Sequence, residues 1–60
     1  MDPYSGFLGK EVCVKENDGT RTFGVVREVT YNYIVLKPLV VITRRNVSSI
    51  VLVDNGGVHA

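Results

Sequence analysis

Apolar positions along the chain come in short runs, and most of them alternate with polar ones. "KEVCVKE" places Val12 and Val14 on one face and Glu11 and Lys15 on the other, the period-two pattern of a half-buried strand. "NDGT" follows, and Asp18-Gly19 accepts the positive φ that a tight hairpin turn needs. "RTFGVVREV" is apolar on both faces around Gly24, with Phe23, Val25 and Val29 on one side and Val26 on the other. A glycine inside such a run marks a bend or a close backbone approach. After the turn "TYN" come a third strand "YIVL", a tight connection "KPL", a fourth strand "VVIT", a basic turn "RRNV" and a fifth strand "SSIVLV". Only the start departs from this rhythm. In "DPYSGFLG", Asp2 can cap, Pro3 suits a first helical position and Gly9 can end a turn in the left-handed region. A helix of one or two turns and an extended lead-in both fit these residues.

Five consecutive strands, the second long and bent, predict an all-β fold: a small, five-stranded, antiparallel, strongly bent barrel. Residues 1–9 form the lead-in, 10–53 the barrel and 54–60 a disordered tail. In an open barrel the terminal strands have free edges. Here those strands hold Val40, Val41 and Ile42 on one side and Ser49, Ile50, Val51 and Leu52 on the other, with no Lys, no Pro and no inward charge. Edges of that kind recruit another chain. Pairing strand four of one copy with strand five of the next predicts a head-to-tail homo-oligomer, which closes into a ring when the rotation permits. The alternative is that the two edges close on each other, or on the tail, within one chain.

Composition sharpens this picture in three ways. Sixty residues make one domain near the lower size limit for a self-sufficient core, so association between copies would help. The formal net charge of +1 argues against a duplex-coating protein. With one cysteine, Cys13, and one histidine, His59, there is no disulfide, no metal set and no nucleophile–base pair, so neither a cofactor nor an enzyme activity is expected. The lone thiol fits a reducing, cytoplasmic setting. No apolar run approaches the length of a membrane span, and the first residues lack the pattern of a signal peptide.

The order of these motifs resembles the Sm/LSm superfamily, and in its loop spacing the Hfq type. "NDGTRTFGVVREVTYNYIVLKP" is similar to the first Sm motif: an Asp-Gly turn, a glycine in the bent strand, a loop at Thr30–Asn32 and an apolar strand at Tyr33–Leu36. "VVITRRNVSSIVLV" resembles the second motif, in which a basic turn separates two apolar strands. Arg44 stands where Sm proteins carry the arginine of Arg-Gly, or Hfq the lysine of Tyr-Lys-His, and Arg45 takes the next place. Thr30 replaces the usual aspartate, the Met-Asn pair is absent, and either Asn32 or Tyr33 takes the base-reading position. The resemblance implies a ring of about five to seven copies that binds single-stranded, U-rich RNA in one pore-side pocket per subunit.

The residues themselves suit that chemistry. Single-stranded RNA is held by stacking bases on aromatic or guanidinium planes while cations follow the phosphates. Tyr31 offers a ring, Asn32 an amide with donor and acceptor edges, and Arg44 and Arg45 planar cations. Thr30, Tyr33 and Asn46 are further candidates. Against this, the arginines can be turn residues paired with Glu28 or Asp54, Tyr31 a packing residue and Asn32 an ordinary turn former. "FLGKEV", Phe7–Val12, also resembles the opening of divergent LSm domains in decapping-associated scaffold proteins, which stay monomeric and bind peptides. A Tudor- or KOW-like barrel is the remaining alternative, and the lack of an aromatic cluster disfavours the Tudor form.

Overall fold

The computed structural model describes residues 2–53. Its elements are strands β1 (Glu11–Glu16), β2 (Arg21–Val29), β3 (Tyr33–Leu36), β4 (Val40–Thr43) and β5 (Val47–Leu52). These strands pair antiparallel, in the order β4-β3-β2-β1-β5. The all-β, five-stranded antiparallel expectation therefore holds, and among the described residues no helix is long and apolar enough to cross a membrane. The tail at 54–60, with His59 and the suggested partner Asp54, lies outside the described residues.

The lead-in is a single 3-10 turn at Ser5–Phe7 rather than a helix of one or two turns. Its bonds are short-range: the Phe7 N–H donates to the Tyr4 carbonyl and the Leu8 N–H to that of Ser5. Gly9, at φ +79°, then ends the turn. There Leu8 forms a parallel bridge to Val26, and the Gly9 N–H donates to the Val26 carbonyl. Once the backbone groups are drawn into that bridge, they cannot continue a helix.

One apolar core holds the sheet together. Val12, Val14, Val26, Ile34, Leu36 and Ile42 are buried, and Tyr4, Phe7, Val29, Val47 and Ile50 pack against them. Ile42 comes from one end of the strand order and Val47 and Ile50 from the other, so the sheet must curl to bring both ends to one centre. The bend sits in β2, whose residues through Val25 pair with β1 and from Val26 onward pair with β3. Gly24 permits the close approach, since a Cβ there would lie 3.3 Å from Leu36 Cβ. A register shift between Val26 and Glu28 then reverses the alternation of faces. Strict alternation put Val29 with Phe23 and Val25. Instead Val29 joins Val26 at the core, and Phe23 stands outside, 64% exposed.

The β1–β2 hairpin closes through the Gly19 N–H to the Glu16 carbonyl and the Glu16 N–H to the Thr20 carbonyl. Only Gly19 adopts positive φ, +93°; Asp18 instead accepts the Thr20 N–H on its carboxylate. Between β4 and β5 lies a second 3-10 turn, Arg44–Asn46.

The two apolar strands singled out as edges do stand at the ends of the strand order, with no ladder between them among the described residues. Val40, Val41, Ser49, Val51 and Leu52 are exposed. Ile42 is not: its side chain is 4% exposed, opposite Ile34 in the core. It can offer a neighbouring chain only its backbone. Ile50 also packs inward and is half-buried. Ile42 is placed by its register opposite Ile34 and Ile50 by its register opposite Val14, and a register shift between Lys15 and Glu16 lets Val47, three residues before Ile50, pack inward as well.

Candidate functional site

Two turns meet at one side of the curled sheet. The first joins β2 to β3 and is closed by Thr30: its N–H donates to the Tyr33 carbonyl, and its hydroxyl accepts the Tyr33 N–H at 3.0 Å. With Thr30 engaged in this way, Tyr31 and Asn32 are left at the tip, and Tyr31 is 90% exposed. The second turn is Arg44–Asn46, brought alongside because Tyr33 pairs with Thr43 across β3 and β4.

Arg44 joins the two turns. Its backbone N–H donates to the Asn32 carbonyl at 2.8 Å. Its Nη1 donates to the Thr30 carbonyl and to Asp2 Oδ2, each at 2.7 Å. The guanidinium carbon lies 4.6 Å from the centre of the Tyr4 ring, within cation–π range. The Arg44 partner is thus Asp2 of the lead-in, not Glu28. Asp2 also accepts the Tyr4 N–H on its other carboxylate oxygen, and that bond, followed by Arg44, holds its pKa below the ordinary carboxylate value.

The result is an open cleft of about 470 Å³ lined by Tyr31, Asn32, Tyr33, Thr43, Arg44 and Arg45. Five of the seven candidates from the sequence are gathered here. Thr30 sits behind the tip with hydroxyl and carbonyl both engaged. Asn46 turns to the other side, where with Glu16, Asn17 and Asp18 it lines a smaller depression of about 190 Å³. Its carbonyl there accepts the Asn17 N–H at 2.7 Å.

Three contributors escaped the sequence reading. Thr43 lines the cleft, and its place opposite Tyr33 was implicit once the β3–β4 connection was seen to be tight. Asp2 and Tyr4 support Arg44 from some forty residues away, and nothing local in the sequence signals that.

Chemically, the cleft presents an exposed phenol ring at Tyr31, a half-open one at Tyr33 and the Asn32 amide. The Arg45 side chain is exposed and has no partner among the described residues. Such a surface can stack a planar ring, hydrogen-bond its edge and neutralise an attached anion. Comparison with family models, with curated proteins and with solved structures finds no match to this chain.

Proposed function

We propose that this chain is an Sm-like protein that assembles head-to-tail into a ring and binds single-stranded, U-rich RNA at the Tyr31–Arg45 cleft. The observation that carries the proposal is the convergence of the two motif turns: Tyr31, Asn32 and Tyr33 from one meet Arg44 and Arg45 from the other in a single cleft. A base stacked on a tyrosine contributes about 1–3 kcal/mol, so one cleft binds weakly. Repetition about five to seven times around a ring turns weak contacts into useful affinity through effective concentration. It also concentrates a positive field that the overall charge of +1 conceals. Assembly is supported by the apolar end strands β4 and β5, which leave backbone donors and acceptors to be paired by another copy.

Native mass spectrometry with and without a short oligouridine tests both halves. Expected are a complex of about five to seven chains and its adduct with one oligonucleotide. A monomer at micromolar concentration defeats the ring, and a ring that ignores oligouridine at low salt defeats the RNA reading. A second reading, a monomeric LSm-type module that takes a peptide, is favoured by the outer row Phe23, Cys13 and Val51. These lie opposite one another across three strands, with Phe23 and Val51 more than half exposed. A monomer that binds no oligonucleotide supports that reading.

A further inference from the structure

The two adjacent arginines of the turn differ in everything but sequence position. Arg44 is engaged on several sides. Both hydrogens of its Nη1 have acceptors at 2.7 Å, Asp2 Oδ2 and the Thr30 carbonyl, and one face of the guanidinium lies over Tyr4. Its side chain is 18% exposed, and its charge is matched by the Asp2 carboxylate. For a phosphate to use Nη1 it must displace the Asp2 carboxylate or release the Thr30 carbonyl, and the rest of the guanidinium offers it a charge already matched by Asp2. Arg45 is exposed and has no side-chain partner among the described residues. Its backbone is nevertheless fixed, because its carbonyl accepts the Asn17 Nδ2 at 3.1 Å. A cation on an anchored backbone with an uncommitted side chain suits contact with an anion.

We infer that Arg44 is a positioning residue, held by Asp2 and Tyr4 as a brace for the Thr30–Asn32 turn, and that Arg45 is the cation that meets the ligand's phosphate. The lead-in is thereby part of the site: it fixes the plane of Arg44, and Arg44 fixes the turn that presents Tyr31 and Asn32. The second half of this assignment rests on the RNA reading above; the first half does not.

The test measures binding of a dye-labelled oligouridine across a range of salt concentrations for the wild-type chain and for Arg45→Gln, Arg44→Gln and Arg44→Lys. Each phosphate contact contributes about 0.7 to the slope of log affinity against log salt for a single strand. Arg45→Gln is expected to flatten that slope by about this amount for every cleft engaged. Arg44→Gln should weaken binding at all salt concentrations with the slope unchanged. Arg44→Lys keeps the charge but loses the planar fork, so it should behave like Arg44→Gln.

Amide spectra of the free protein supply the second readout. Asp2→Asn and Arg44→Gln should shift the Tyr31 and Asn32 resonances, whereas Arg45→Gln should leave them in place. Flattening of the slope by Arg44→Gln, or full recovery of affinity with Arg44→Lys, would overturn the assignment. So would amides that do not respond to loss of Asp2. A wild-type chain that ignores oligouridine ends the RNA reading and the role given to Arg45, while the amide shifts still decide the brace.

Discussion

Two depressions flank the Arg44–Asn46 turn, and they have little in common beyond it. In the smaller, polar groups are engaged in holding backbone: the Asn17 amide and N–H tie down Arg45 and Asn46, and the Asp18 carboxylate caps Thr20. Its remaining charge is acidic, from Glu16 and Asp18. In the larger, comparable tasks fall to Thr30 and Arg44 at the back, and Tyr31, Asn32 and Arg45 are left without side-chain partners among the described residues. Both are concave, and both are lined largely by residues with polar side chains. What separates them is the pair of tyrosine rings and the sign of the charge, which favours an anion at the larger depression and disfavours one at the smaller.

Because the turn is common to both, removing its seat should abolish both. Ile42→Ala empties a core position one residue before Thr43, and large-to-small changes of this kind cost about 2–5 kcal/mol. That is a large part of the stability of a small domain. Urea denaturation should show the loss, and amide shifts should appear on both sides of the turn. A variant of near wild-type stability would mean that the turn does not depend on the core beneath it.

A smaller change should divide the two regions. Gly19 holds φ +93° with no atom beyond its chain neighbours within 4 Å of a would-be Cβ, so Gly19→Ala meets no clash there and suffers backbone strain, about 1–2 kcal/mol. Its spectral effect should stay within the β1–β2 hairpin and the acidic depression. Movement of the Tyr31 and Asn32 amides would show that the two sides are coupled.

The mildest test is acid titration. Asp2 and Asp18 both have lowered pKa values, Asp2 through the Tyr4 N–H and then Arg44, Asp18 through the Thr20 N–H. A carboxyl whose pKa is lower in the folded chain contributes stability above its unfolded value and loses it as pH falls through the folded one. The melting temperature should therefore decline as pH drops below about 5, gently, since both groups are exposed to water. Asp2→Asn should remove the part of that decline that belongs to the aromatic cleft, and Asp18→Asn the part that belongs to the acidic one. An acid limb unchanged in the double variant would assign it to other carboxyls.

Much of the scaffold was legible because strand signals are local. Alternation at Val12 and Val14, the Asn-Asp-Gly turn and the apolar runs at Tyr33–Leu36 and Val40–Thr43 each announce themselves within a few residues. The meeting of Tyr31, Asn32 and Tyr33 with Arg44 and Arg45 was expected only from the resemblance to the Sm motifs, and in the structure the β3–β4 pairing brings the two turns side by side. The face taken by Ile42 was not legible: in an all-apolar run either parity can point inward, and only the register against β3 selects one. Nor was the inward turn of Val29, which depends on a bulge that alternation cannot register.

What the order of residues determined alone is the set of strands, their turns and the chemistry at the tips, because propensity and pattern act over a handful of positions. What tertiary structure decided is which of two neighbouring arginines is engaged. Arg44 meets Asp2 across 42 positions of chain, and that contact exists only because the curled sheet carries the lead-in back over the second turn.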